Sequence, residues 1–241
     1  MSTLRSALGT RGLRRLRRDF GILVRQEGVR AFGRGLLRRT TGGIARIARN
    51  RVYELDLAEA GPVDAPPGVV LRRFGDGDWD AIASVCTTSA LGWLRRNVPR
   101  GLWGILALRD GRIVGHDWGA SAYVPDPHLF PFPRSPDTTV CTWVWVHPAE
   151  RGRGIASALL RARLVAEREH GFRRALCAVA FGNDASLRHM VKAVGERGYR
   201  FLGVVTNVRV LGYRRRRWRP AGDSAAKAAA RPGRPGARTP A

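Results

Sequence analysis

Lysine is almost absent from this chain of 241 residues: of its 43 basic side chains only Lys192 and Lys227 are lysine, and the rest are arginine. Acidic residues are few as well, at 19, which leaves a formal charge of +24. Solubility of a small domain requires far less. The surplus favours acidic partners, because the guanidinium fork binds phosphate and carboxylate bidentately. The abundance of Ala and Gly beside it points equally to a GC-rich coding sequence. Cysteine is confined to Cys86, Cys141 and Cys177, an odd number without Cys-x-x-Cys spacing. That argues against a disulfide framework and a zinc site, leaves no metal expected, and fits a reducing cytoplasm. No apolar run reaches the about 18 residues of a membrane span, and the apolar stretch 20–24 is too short for a signal-peptide core.

What is present falls into three zones. Residues 1–50 form a basic N-terminal extension, 51–219 carry regular patterning, and 220–241 are an Ala/Pro/Gly/Arg tail without core-forming residues, expected to be disordered. In the first zone Leu13, Leu16, Phe20, Leu23 and Val24 recur at three- and four-residue steps between arginines, which predicts one or two amphipathic basic helices. Such helices suit an anionic membrane surface, here through residues 1–40. They suit equally well packing on the domain with their arginines solvated.

In the middle zone, strands are expected at 52–57 and 69–74, then a helix over 76–88 capped by Asp76 or Asp78, and a short helix at 91–97. Strands 102–109 and 112–124 meet across Asp110-Gly111, a strong hairpin signal. The Pro-rich stretch 125–137 must be a loop. Thereafter strand 138–146, helix 152–170, strand 173–181, helix 185–197 and strand 199–213 alternate. This order predicts a mixed, partly parallel α/β sheet covered by helices. The helix at 154–169 places Ile155, Ala158, Leu159, Ala162, Val165 and Ala166 on one face and its arginines mostly on the other.

Between strand 138–146 and that helix runs His147-Pro148-Ala149-Glu150-Arg151-Gly152-Arg153-Gly154-Ile155-Ala156. Glycines at 152 and 154 let the backbone approach a ligand, and the helix start leaves N–H groups unpaired at the positive end of its dipole. A phosphate or pyrophosphate fits there, with Arg151 and Arg153 adding charge-assisted bonds. Glycine at a tight strand-to-helix connection has the same appearance, so the turn alone is a weak signal.

The string resembles the acyl-CoA motif of the GNAT N-acetyltransferases, Q/R-x-x-G-x-G/A, with Arg151, Gly154 and Ala156 at its defined places. Asn183-Asp-Ala-Ser186, opening the next helix, and Gly198-Tyr199 after it are similar to a second block of that family. The resemblance spans about residues 69–213. It implies a mixed α/β fold whose central sheet is splayed between strands 138–146 and 173–181, and acetyl-CoA as co-substrate with its pantetheine arm in the gap. Backbone groups of Val144, Trp145 and Val146 would hold that arm and polarise the thioester. Gly152, Ile155 and their neighbours would hold the pyrophosphate, and Asn183 and Ser186 would lie near the pantetheine or adenosine. Asn183 also suits a plain helix cap.

The catalytic groups depart from the family pattern. Many members have a Tyr seven residues after the helix-opening Asn, where this chain has Met190, and a Glu on the strand before the turn, where it reads Thr142-Trp-Val-Trp-Val146. His189, beside Met190, and His116 and Asp117, on the adjacent strand, are the candidates for acid and base. His116 and Asp117 alternate across the sheet, so only one of them faces the cleft. His147 follows the turn strand. Cys141 and Cys177 read as buried small hydrophobes, and Trp143 and Trp145 share one side as core or acceptor wall. The expected function is transfer of acetyl from acetyl-CoA to a primary amine of a small-molecule acceptor. Trp93, Arg95, Arg96, Arg100, Phe130 and Phe132 suit an acidic or phosphorylated acceptor such as an amino sugar or its nucleotide. The alternative is a catalytically weak GNAT-like module binding anionic membrane, or less favourably nucleic acid, through its basic ends. The sequence leaves the oligomeric state open, a homodimer included.

Overall fold

The computed structural model describes residues 18–22, 45–121, 129–211 and 213–222. Asp110 and Gly111 have φ of 50° and 72°, the left-handed pair whose twist matches right-twisted strands. They join β3 (Leu102–Arg109) to β4 (Arg112–Ala120) as the expected hairpin. Around it lie β1 (Ala45–Asp56), β2 (Val70–Arg73), β5 (Thr138–Val146), β6 (Arg174–Ala180), β7 (Tyr199–Val210) and β8 (Tyr213–Pro220). The eight strands form one sheet in the order β2-β3-β4-β5-β6-β1-β7-β8. Of these pairs only β5 and β6 run parallel.

Among the described residues, the sheet is covered by α1 (Trp79–Val85), α2 (Thr88–Asn97), α3 (Ile155–Glu169) and α4 (Asp184–Val194). On one face α3 and α4 bury Leu160, Leu164, Leu187 and Met190 against Tyr53, Leu55, Val179 and Phe201. On the other face α1 and α2 bury Ile82, Leu91 and Leu94 against Leu102, Leu106 and Trp118. The segment 129–137 covers the rest of that second face, with Phe130 and Phe132 set on Val140, Leu176 and Trp218. Full burial of each large apolar side chain contributes about 1.5–3 kcal/mol, so these clusters dominate the folding energy. Among the described residues no helix is long and apolar enough to cross a membrane.

Several expectations need correction. β1 begins at Ala45, not at 52, and lies between β6 and β7 inside the sheet. Arg46, Arg49 and Arg51 hide its alternation, and they are tolerated because those side chains remain exposed or half-buried. The last expected strand ends at Val210, and the chain returns as the unanticipated β8, where a run of arginines gives no alternation. Neither Asp76 nor Asp78 caps α1 with its side chain. The Asp78 carboxylate instead accepts two bonds from Arg72, at 2.7 and 2.5 Å, and one from Gly75 N, at 2.8 Å. Residues 18–22 are helical and dock on α1 and α2: Arg18 donates to Ala83 O at 2.6 Å, and Asp19 accepts from Thr88 N and Oγ1, each at 2.9 Å. The remainder of the expected N-terminal helices, residues 122–128 of the Pro-rich loop and the tail from 223 lie outside the described residues.

Candidate functional site

The turn after β5 is built by local constraints. His147 N donates to Val114 O at 2.8 Å, which keeps the strand paired to its last residue. The His147 imidazole Nδ1 then accepts from Ala149 N at 3.3 Å and starts a single 3-10 turn, Pro148–Glu150. Arg151 donates from Nε to Val146 O at 3.1 Å and folds back over the strand end. Gly152 and Gly154 have φ of 79° and 83°, a left-handed conformation that costs other residues energy. A Cβ at Gly152 would meet nothing within 4 Å, and one at Gly154 only Pro66 at 4.0 Å. The glycines therefore serve backbone direction and leave open space above them. Gly154 is the N-cap of α3 and no side chain caps that helix. Its first N–H groups and the positive end of a 15-residue dipole face the opening beside Arg151 and Arg153.

The gap expected between the two parallel strands is present. β5 and β6 pair only at Thr138–Arg174, Thr139–Ala175 and Val140–Leu176. Beyond that rung β5 stays with β4 while β6 stays with β1. A bulge at Thr142 sharpens the divergence: Trp118 faces Trp143 and Gly119 faces Cys141, so Thr142 is the extra residue, anchored by its hydroxyl donating to Trp118 O at 2.9 Å. Val144, Trp145 and Val146 pair with Asp117, His116 and Gly115 on the β4 side alone. Their opposite edge borders the gap, where every second residue presents N–H and C=O.

On the α3 side, the foot of the gap holds a buried polar cluster. Arg163, fully buried, donates to Asp117 at 2.9 Å, to Glu167 at 2.6 Å and to Cys141 Sγ at 2.9 Å. Thr139 Oγ1 adds a bond to Glu167 Oε1 at 2.8 Å. Gly119 makes room, since a Cβ there would lie 2.6 Å from both Arg163 and Glu167. Burial opposes the Arg163 charge, but Asp117, Cys141 and Glu167 outweigh it and hold the guanidinium well above its ordinary value. Burial raises the Glu167 carboxyl against the pull of Arg163. The neighbouring Cys177 and the Arg163 guanidinium lower Cys141, while Cys141 and burial raise Cys177. His189 on α4 belongs to the same side. Burial lowers its imidazole, and Asp117 is the largest influence in the opposite direction.

His116 occupies the other face. It is fully buried, its Nδ1 accepts from Trp118 Nε1 at 3.0 Å, and its Nε2 lies 3.8 Å from Cys86 Sγ. Trp143 and Trp145 flank it at 4.6 and 5.4 Å between ring centroids. Burial pushes the imidazole down to about 3 and the Cys86 thiol up to about 12, so both stay neutral. The aromatic pair thus encloses a neutral histidine whose Nδ1 lone pair is already engaged.

Of the three expected acid and base candidates, Asp117 and His189 share the α3 and α4 side of the gap, and His116 lies across the sheet. Asp117 is held by Arg163. Asn183 Oδ1 accepts from Ser186 N at 3.1 Å and caps α4. Met190 is core and fully buried. The arginines of α3 were expected mostly on its solvated face, but Arg163 is buried, and Glu167 is buried with it. The signal for them was available: Ile155, Leu159, Arg163 and Glu167 follow one another at four-residue steps, a single row along the helix.

A family model described as the acetyltransferase (GNAT) family matches residues 73–195. Among solved structures, a GCN5-related N-acetyltransferase from Sphaerobacter thermophilus is similar at 20% identity over 78% of this chain and 57% of that one, with a TM-score of 0.49. A Drosophila protein is similar at 14% identity over 76% of this chain and 58% of that one, with a TM-score of 0.51. The chain spans less than two thirds of the length of either structure. No curated protein matches the sequence.

Proposed function

The chain belongs to the GNAT acetyltransferase family, and from that premise we propose that it moves the acetyl group of acetyl-CoA directly to a primary amine on an acidic or phosphorylated acceptor, such as an amino sugar or its nucleotide. The observation that carries the reading is the uncapped start of α3 behind Gly152 and Gly154, opening beside a sheet that parts after Val140 and Leu176. The open space over those glycines fits a pyrophosphate. Arg151, Arg153 and the N–H groups from Gly152 to Ala156 hold it, and the β5 edge from Val144 to Val146 orients the pantetheine arm and polarises the thioester carbonyl. Acetyl-CoA supplies the activated acyl group. The amine nitrogen bonds to the carbonyl carbon, the carbon–sulfur bond breaks, one proton leaves the nitrogen and one reaches the sulfur. His189 is the group proposed to handle a proton, because burial favours its neutral form and Asp117 favours its protonated one. His116, neutral and bonded to Trp118, orients rather than accepts.

The acceptor class is supported by a cavity of about 370 Å³ at the closed end of the gap, under the segment 129–137. Arg134, Arg174 and Arg200 line it with Phe132 and Trp218, against the single carboxylate of Glu54. Glu54 engages Arg200 at 2.8 Å and Arg174 at 3.6 Å, whereas burial lowers Arg134 without an acidic neighbour among its causes. A second reading, a CoA-binding module of weak activity, draws on Met190, buried where many family members place an acid. Thiol release from acetyl-CoA in the presence of amino sugars, their nucleotides, amino acids and peptides tests both. Turnover is expected with the anionic sugars. Turnover with amino acids or peptides alone overturns the acceptor class, and CoA binding without turnover on any amine favours the second reading.

A further inference from the structure

Residues 45–53 and 199–220, which make up most of β1 and all of β7 and β8, contain no acidic residue. Their register stacks arginines across the sheet: Arg46, Arg209 and Arg214 form one row. On the opposite face Arg49 and Arg217 share a row with Thr206, and Arg51 and Arg219 share the next with Val204. Arg49 and Arg51 have local company, stacking over Phe181 at 4.4 and 4.6 Å, with Asp184 4.0 Å from Arg51. The β8 arginines stand on the last strand of the sheet among the described residues.

The tip of this ribbon is apolar. Leu211 is 79% exposed, Tyr213 69%, Ile47 68% and Val210 40%. They are four of the eight large hydrophobic side chains exposed among the described residues, gathered at one end of three strands. Exposed apolar residues are ordinarily scattered, and a cluster of them marks a contact surface. On the face that carries Ile47, Val210 and Tyr213 stand at the end, then Ile47 in a row with Val208 and Arg215, then two rows with arginines, at about 6.6 Å per step, while on the opposite face the Arg46, Arg209 and Arg214 row lies directly behind the tip. An apolar tip with arginines directly behind it and out to about 20 Å matches the border between acyl chains and phosphate headgroups. A nucleic acid backbone would engage the arginines but would leave Leu211, Ile47 and Val210 in water. The chain also enters the sheet at Ala45, opposite Val210.

We propose that the distal end of the β1–β7–β8 ribbon docks on an anionic lipid bilayer, with Leu211, Tyr213, Ile47 and Val210 in the interface and the β8 arginines on the headgroups. This goes beyond the acyl-transfer reading and does not depend on it. The test is sedimentation of the full chain with phosphatidylcholine vesicles, with and without about one-third phosphatidylglycerol, at fixed salt, beside retention on duplex DNA. Wild type is expected to bind the anionic vesicles and not the neutral ones. Leu211→Glu with Tyr213→Ser should lower that partitioning at least about tenfold. Arg214→Gln with Arg217→Gln should lower it about twenty-fivefold, or roughly fivefold per arginine. Both variants alter exposed positions, and an unchanged circular dichroism spectrum and melting midpoint establish that they fold. Three results overturn the proposal: equal binding to both vesicle types, tip-variant binding equal to wild type (which would assign the contact to another basic segment), or DNA retention that exceeds vesicle binding and persists in the tip variant.

Discussion

Replacing His116 by Phe should erase a distinct share of the protein's acid sensitivity. The imidazole titrates near 6.5 in an unfolded chain, and burial in the folded state pushes it down to about 3. As pH falls, the unfolded chain takes up the proton first, so folding stability is complete above about 6.5 and is lost progressively down to about 3. The slope is about 1.4 kcal/mol per pH unit, which amounts to about 2 kcal/mol at pH 5. A domain stable by about 5–15 kcal/mol shows this readily. Phe keeps the ring between Trp143 and Trp145 but leaves the Trp118 Nε1 donor without an acceptor, a cost of about 1–3 kcal/mol at every pH. Urea unfolding followed by tryptophan fluorescence at pH 7.5 and 5.0 separates the two effects. Wild type should be the more stable at pH 7.5, and its advantage should shrink by about 2 kcal/mol at pH 5. An advantage that stays constant would refute the reasoning, because it would mean that His116 titrates like an exposed histidine. It would also restore His116 as a candidate base, a role its neutral, Trp118-bonded state otherwise denies it.

Gly154→Ala tests the turn. At φ of 83° the substitution costs about 1–2 kcal/mol locally, and calorimetry should show CoA affinity reduced about tenfold or more while most of the melting temperature is retained; unchanged affinity would remove the turn from pyrophosphate binding. Arg163→Met leaves Asp117 and Glu167 buried without their cation and should cost about 3–5 kcal/mol in urea unfolding. Adding Asp117→Asn and Glu167→Gln should restore part of that loss, and a neutral single substitution would mean the ion cluster is not a closed network.

Where sequence spoke through local chemistry, it was legible. Asp110-Gly111 determines its hairpin because those two residues accept positive φ at low cost. The alternation after residue 138 reflects connections that parallel strands require, and the glycines at 152 and 154 stand where left-handed backbone is needed. Charge was the obscuring factor elsewhere. Arginines conceal β8 and the start of β1, where the described side chains are exposed or half-buried and need no apolar alternation. In α3 the opposite occurs: Arg163 and Glu167 look like a solvent stripe, and only the pairing partner Asp117, 46 residues away, makes their burial possible. The four-residue row from Ile155 and Leu159 points to that side of the helix, but the partner that permits the burial is not local. His116 and Asp117 were correctly placed on opposite faces by period-two alternation, but which face met the cleft depended on where α3 packed.

The buried cluster and the parting of the sheet have one geometric origin. Just past the last paired rung, Val140 with Leu176, stand Cys141 and Cys177, both small, with Gly119 on the strand next to β5. That leaves room for a guanidinium delivered from α3, and Arg163 fills it. An apolar side chain there would spare the desolvation of three charges, and such replacements are often neutral or stabilising. Stability alone therefore does not account for Arg163. Its position does: it fixes Asp117 at the foot of the gap, and Asp117 is the charge that favours protonation of His189 across from it. On the proposed reading, the α3 and α4 side manages protons and thiol chemistry through a preorganised charge network, while the face formed by Trp118, Trp143, Trp145 and the neutral His116 provides shape. The division follows from alternation in β4, where adjacent residues 116 and 117 serve opposite sides of the sheet.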